Sequence, residues 1–243
     1  IFDTDNMKRI LLIGHEATRT GAPVVLLHLI RWLKENTDLN IQLLLLSGGE
    51  LVSAYRDLMP VFVLPDPGSS IVSRGFRKLK EEMLETRSLR TKGLEPFKTD
   101  YDLVMGNTAI TLEYLRYFKK RGAKAICWMH ELEYIIKTLF TVERFTELTA
   151  SVDMFVGGSG ATVKMLRGFG IEKPVEVVYD FSAVDRSAEY NVDDIRAGLG
   201  IPADAFVVAG SGTLEWRKGV DLFLQTAVRL TGELPNIYFI WVA

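Results

Sequence analysis

Val207-Val208-Ala209-Gly210-Ser211-Gly212-Thr213-Leu214-Glu215-Trp216-Arg217-Lys218-Gly219-Val220-Asp221 runs from a strand through a small-residue turn into a helix. The apolar run 206–209 has the length and texture of a buried strand. Beyond the charged step Arg217-Lys218-Gly219, Val220, Phe223, Leu224 and Ala227 recur at the spacing of one helix face. A strand, a glycine turn and a helix start form a recurrent anion site, because free backbone N–H groups and the helix dipole favour negative charge there. Two cations at a helix start oppose that dipole. Arg217 and Lys218 are therefore poorly placed for stability, and make sense if an anion sits between them and the turn; the alternative is a surface accident.

Upstream, the same grammar repeats. Arg9-Ile10-Leu11-Leu12-Ile13-Gly14 is continuously apolar, as suits a central parallel strand covered on both faces. Further strands are predicted at 41–46, 61–64, 102–106, 125–129, 152–156 and 175–178. Helices are predicted at 24–33, at 51–58, from 72 to about 92 with Phe76, Leu79 and Met83 on one face, after Asn107 as a cap, in two pieces over 132–148, and after Ser159 as a cap. Strands alternating with helices predict an α/β fold with a doubly wound parallel sheet, whose strand order cannot be read from the sequence. Residues 180–190 lack periodicity and read as a linker; 191–199 form a capped helix ended by Gly200, and a second βαβ unit starts at Phe206. The expected division is an N-terminal domain at 1–182, linker and helix at 183–204, and the first βαβ of a truncated second domain at 205–243.

Composition narrows the function. Hydrophobic residues at 48% and charged residues at 25% are ordinary for a globular protein. A net charge of −2, from 29 basic against 31 acidic residues, argues against a dedicated nucleic-acid binder. The single cysteine, Cys127, excludes an internal disulfide and points to a reducing, cytoplasmic compartment. No apolar run approaches the ~20 residues of a membrane span. The first six residues, Ile1 to Asn6, resemble neither a leader nor a tag; an upstream remnant and a natural start at Met7 both stay open. Eight basic and four acidic side chains lie between Arg74 and Lys98. They read either as a solvated helix face or as a contact for an acceptor or the inner face of a membrane.

Gly14 and Gly21 do not make a Gly-x-Gly-x-x-Gly fingerprint, no Walker A spacing occurs, and Gly157-Gly158-Ser159-Gly160 is not a nucleophile elbow. His15, His28 and His130 are far apart and no Cys/His cluster has metal spacing, so no protein-bound metal is expected. Candidate sites lie where strands end, the ligand edge of open α/β sheets. In the loop 15–22, Gly21 would let backbone approach a phosphate or sugar; a plain connecting loop is the alternative. His130-Glu131 closes the fifth strand, where a histidine could donate a hydrogen bond to a sugar or phosphate; a structural histidine is the alternative. His28, inside a helix, reads as packing or surface.

These residues together resemble the large retaining group 1 glycosyltransferases (family four type) of the GT-B fold, two Rossmann-like domains facing across a cleft. Trp216-Arg217-Lys218-Gly219-Val220-Asp221 looks like the opening of their second domain, and Thr20-Gly21-Ala22-Pro23 like the glycine loop after their first strand. Trp128-Met129-His130-Glu131 is similar to their strand ending in a histidine. Residues 153–159 and 174–179 resemble the last two strands before their interdomain linker. The resemblance implies a nucleotide-diphosphate sugar donor, with Lys218 and Arg217 neutralising the diphosphate and Gly21 beside the donor. It places His130 near the reacting sugar as the catalytic group, with His15, Glu131 and Asn107 on the acceptor side. The acceptor, a saccharide, a lipid or another molecule, is not readable. Transfer with retention and without a bound metal is implied. Gly212 stands where such families often carry an arginine, and Phe181-Ser182-Ala183 stands where they usually have Asn-Gly. The paired glutamates that grip the donor fall beyond residue 243 in that family, so the 243-residue chain alone is expected to be inactive. Two rivals are a GT-B sugar-nucleotide epimerase and a noncatalytic sugar- or phosphate-binding module.

Overall fold

The computed structural model describes residues 9–64, 94, 97, 100–181 and 192–243. The predicted helix from 72 to about 92, most of the basic stretch around it, the Asn191 cap and the first six residues lie outside the described residues. The chain divides into two compact units, Ile1–Ala183 and Val184–Ala243.

In the first unit, seven parallel strands form one sheet in the order β3-β2-β1-β4-β5-β6-β7. They are β1 (Ile10–Gly14), β2 (Ile41–Leu45), β3 (Val61–Val63), β4 (Leu103–Asn107), β5 (Lys124–Met129), β6 (Met154–Gly157) and β7 (Val175–Val177). The helices are α1 (Gly21–Asn36), α2 (Val52–Arg56), α3 (Leu112–Lys119), α4 (Glu133–Leu139), α5 (Val142–Thr149) and α6 (Gly160–Gly168), with a 3-10 turn at Ala109–Thr111 before α3. Every strand read from the sequence is present, and the doubly wound Rossmann-like sheet is the observed fold. Side chains alternate between two cores, which is why β1 is apolar at every position. Leu11 and Ile13 join Val104, Leu115, Phe118 and Phe155 on one face. Ile10 and Leu12 join Leu26, Ile30, Leu43 and Tyr55 on the other. The Tyr55 hydroxyl donates to the Pro23 carbonyl at 2.6 Å, tying α2 to the first turn of α1.

Ser159 caps α6 as read, its hydroxyl accepting from the Thr162 N–H at 3.4 Å. Asn107 does not cap a helix. It is the last residue of β4, and Thr108 at the head of the 3-10 turn offers no side-chain cap. The carboxylate of Glu131 reaches across from the end of β5 and accepts from the Ala109 N–H at 3.2 Å instead.

Asp153 joins three elements at the other edge of the sheet. Its carboxylate lies 2.7 Å from Lys119 Nζ on α3 and accepts from the Ala125 N–H of β5 at 2.8 Å. Partial burial opposes ionisation, but the Lys119 ammonium and the Ala125 N–H outweigh it and hold the carboxyl below its usual range. A depressed carboxyl pKa stabilises the fold above the unfolded value, near 3.9, and that contribution fades as pH falls through the folded value. Asp153→Ala is therefore expected to cost about 1.5–3 kcal/mol at pH 7. The gap to the parent should narrow below about pH 4, as urea titrations at pH 7 and pH 3 would measure.

The second unit holds α7 (Val192–Gly198), β8 (Phe206–Ser211), a 3-10 turn (Trp216–Lys218), α8 (Val220–Glu233) and β9 (Ile237–Val242), with β8 and β9 paired in parallel. Arg196 of α7 donates to the carbonyls of Pro202 and Ala205, securing the entry to β8. Phe223 of α8 packs edge-on against Phe239 and Trp241 of β9. The predicted inner face of this helix holds at Val220, Phe223 and Ala227, which are partly buried, and fails at Leu224, which is 57% exposed.

Candidate functional site

A doubly wound sheet leaves a crevice at the carboxyl ends of its strands where the winding reverses, and here that point lies between β1 and β4. The register aligns those ends. Gly14 pairs with Asn107, Asn107 with Trp128, Met129 with Gly157, and Gly157 with Val177. The residues that follow them, His15, Thr108, His130, Gly158 and the segment leading to Asp180, thus emerge along one edge.

His130 is the centre of this group. Its side chain is 11% exposed and its ring tilts against Trp128. Nε2 lies 2.8 Å from Asn107 Oδ1, and Nδ1 lies 3.2 Å from Asp180 Oδ1. Asn107 is itself fully buried, and its amide nitrogen donates to the Ala22 carbonyl at 3.0 Å. Burial pulls His130 below the ordinary imidazole range, the Asp180 carboxylate pushes it back up by charge and hydrogen bond, and the charge of His15 lowers it. Asn107 therefore stands behind His130 with both ends of its amide engaged. Glu131 likewise turns inward: beyond Ala109 it accepts from the His130 N–H at 3.2 Å, and burial raises its pKa against the pull of these backbone N–H groups.

The loop after β1 is internally bonded. Glu16 accepts from Thr18 at 2.7 Å and lies 3.5 Å from His15 Nε2. Gly21 is exposed as the first residue of α1, and a Cβ there would meet nothing within 4 Å. The protein itself does not require glycine at 21; only a close-lying ligand would. His28 on α1 makes a ring contact with Phe181.

Two residues of this edge carry no sequence signal of their kind. Thr108 has φ +107°, an outlier for a β-branched residue, and its buried hydroxyl has no hydrogen-bond partner among the described residues. Strain and an unpaired polar group cluster at functional sites. Asp180 read as linker, and it meets His130.

In the second unit, Arg217 and Lys218 fall in the 3-10 turn ahead of α8 rather than in its first turn. Gly219, at φ +73°, separates turn from helix in a conformation that glycine adopts without strain. Arg217 Nε donates to Glu215 at 2.6 Å, so its charge is locally balanced. Lys218 forms no ion pair among the described residues, and its methylenes lie over Gly212, whose φ is +144°. Among the described residues no cluster of His, Cys, Asp or Glu is arranged to hold a metal ion, and no helix is long and apolar enough to cross a membrane.

This is a GT-B glycosyltransferase-like fold. The E. coli trehalose-6-phosphate structure bound with UDP-2-fluoro glucose matches with a TM-score of 0.58 at 14% identity, over 97% of this chain and 65% of that one. A UDP-N-acetylglucosamine 2-epimerase matches with a TM-score of 0.57 at 13% identity, over 96% and 63%. In sequence, a stretch of 47 residues is 45% identical to the alpha-galactosylglucosyldiacylglycerol synthase of Streptococcus pneumoniae (strain ATCC BAA-255 / R6), covering 19% of this chain and 12% of the synthase. The chain thus spans less than two thirds of the structures and about an eighth of the synthase. No protein-family model matches.

Proposed function

We propose that the full-length protein is a retaining glycosyltransferase of the group 1 type, moving a hexose from a nucleotide-diphosphate sugar to a saccharide or lipid acceptor. The observation that carries this reading is the convergence of His15, His130 and the start of α1 at the switch point of the sheet. An exposed lysine after the first strand of the second unit adds to it. Charge builds on the diphosphate as the glycosidic bond breaks, and a fixed ammonium with backbone N–H groups stabilises it without a resident metal. Lys218 supplies that charge, Arg217 assists through its Glu215-held guanidinium, and Gly21 admits the donor beside the start of α1. His130 lies by the reacting sugar; Asn107 and Glu131 serve the acceptor side through it, and His15 borders it. The first unit is the acceptor-side domain at 1–182 and the second opens the donor domain, with a linker and helix at 183–204 between them. The named product of the matched synthase is a glycosylated diacylglycerol, which favours a lipid acceptor and work at the inner face of the membrane.

The epimerase match, at nearly the same TM-score, keeps a second reading open, since fold alone does not separate transfer from epimerisation. Incubating the full-length protein with a panel of UDP-sugars, with and without diacylglycerol-type and saccharide acceptors, and analysing products by mass spectrometry distinguishes them. A product that gains one hexose and forms only when acceptor is present is expected. An isomerised nucleotide sugar formed without acceptor would overturn the transferase reading in favour of the epimerase, and binding without turnover would favour a noncatalytic module.

A further inference from the structure

Three observations converge on Asp180. Its carboxylate lies 3.2 Å from His130 Nδ1. A Cβ on Gly158 would stand only 3.0 Å from both of its oxygens, so this glycine leaves the carboxylate room beside the ring. The chain on either side is anchored: the Val178 N–H donates to the Gly157 carbonyl at 3.0 Å, and Phe181 rests against His28.

The two contacts of the imidazole differ in kind. Because Asn107 spends its amide N–H on Ala22, it presents its oxygen to His130, and Nε2 must donate. The neutral ring is therefore the Nε2–H tautomer, with a lone pair on Nδ1. That lone pair faces a carboxylate, which repels it. A proton taken up at Nδ1 turns repulsion into an N–H···O⁻ hydrogen bond. Nε2 points to a buried amide, whereas Nδ1 points to a carboxylate that is half exposed, so Nδ1 is the nitrogen at which the ring gains a proton.

We propose that Asp180 is a positioning residue for His130: its carboxylate accepts a hydrogen bond from the proton that Nδ1 takes up, and so fixes and stabilises the charged imidazole at the sheet edge whenever the ring gains a proton. The bearing of this pair on turnover rests on the sugar-transfer reading above; the pair itself does not. Among the described residues, the ionisable groups around the ring are Asp180 from the segment after β7, His15 from the loop after β1 with Glu16 behind it, and Glu131, which holds the His130 backbone N–H. Of these only Asp180 approaches Nδ1 as an anion at hydrogen-bond distance. The prediction is thus specific to one side chain.

The test is a pH titration of the 243-residue chain by ¹⁵N NMR of its imidazole nitrogens, with His28 as the internal reference. In the parent, the neutral His130 should show the Nε2–H tautomer and gain its second proton at Nδ1. In Asp180→Asn the midpoint should fall by about one pH unit, the low end of the effect of an adjacent opposite charge. Asp180→Glu should restore part of that fall. Gly158→Ala, which keeps the carboxylate but crowds it, should lower the midpoint in the same direction while leaving His28 unmoved. An unchanged His130 midpoint in Asp180→Asn, or a neutral form protonated at Nδ1, would overturn the assignment. If Asp180→Asn fails to fold, Gly158→Ala decides alone, an unchanged midpoint there counting against the pair. No donor or acceptor is present in this titration, so its failure leaves sugar transfer standing, and failure of transfer leaves the pair standing.

Discussion

Replacing Gly49 by alanine is expected to destabilise the first unit by about 3 kcal/mol or more, from strain of roughly 1–3 kcal/mol and overpacking of similar size. An added Cβ would lie 2.3 Å from both the carbonyl carbon and the oxygen of Ala17 and 2.6 Å from the Thr18 nitrogen. These are backbone atoms, which cannot swing aside as a side-chain tip can. The backbone at 49, at φ +155°, adds to the cost for any residue with a Cβ. Nor can the two segments separate freely. The Ala17 N–H donates to the Gly48 carbonyl at 3.2 Å and the Leu51 N–H to the Ala17 carbonyl at 2.7 Å. Relief of the clash would break the clasp between the loop after β1 and the turn after β2. For a unit of this size, about 3 kcal/mol corresponds to a fall in Tm of roughly 6–12 °C. Gly48→Ala is the matched control: a Cβ there meets nothing within 4 Å, and its effect should stay within about 0.5 kcal/mol. Thermal unfolding followed by circular dichroism checks both. Equal Tm values for the two variants would show that the clasp yields. Because Ala17 follows His15 by two residues, Gly49→Ala should also broaden the His15 imidazole resonance.

How much of this was legible depends on what each residue answers to. The strands answer to burial on both faces, and continuous apolar runs such as 9–14 announce it wherever they occur. Which strand lies beside which is decided by how helices of given length pack across the sheet, and no local pattern encodes that; the reversal between β1 and β4 therefore came only with the structure. His130 was found because it ends a strand, and strand ends are where open α/β sheets meet ligands. Its partner Asp180 was not, because a carboxylate in an aperiodic stretch looks like any linker residue. Its one trace was the double glycine 157–158, whose second member leaves Asp180 its space. Asn107 shows the opposite error. An Asn before a helix is the ordinary capping signal, but here the strand runs one residue further, turning the amide into the sheet edge. The cap then comes from Glu131, one strand away in space and distant in sequence.

On the sugar-transfer reading, Lys218→Ala in the full-length protein is expected to lower kcat/KM for the nucleotide-sugar donor by about 10²–10³-fold, the loss seen when one fixed group stabilising developing negative charge is removed. Arg217→Ala should cost much less. The two cations are adjacent in sequence and were equivalent as a pattern, but Glu215 lies 2.6 Å from Arg217 and has already spent much of its field. Lys218 stands on the far side of the same 3-10 turn, its stem laid over Gly212 and its ammonium without an ion-pair partner among the described residues. Gly212 has a bearing of its own. Where the resemblance would place a second cation, this chain has a residue at φ +144° with no side chain, and the lysine stem lies over it. A side chain at 212 would be strained by that φ, and its Cβ would lie in contact with the lysine stem. Gly212→Arg should therefore not strengthen UDP binding despite the added charge, a result that separates positioned charge from mere charge. Calorimetric titration with UDP, beside initial rates with the sugar donor, reads both quantities. If Lys218 serves the leaving diphosphate, Lys218→Ala should lose more in kcat than in UDP affinity, because the charge it meets grows as the bond breaks. Equal losses in both would make it a plain binding residue, and unchanged binding and turnover would remove it from the site.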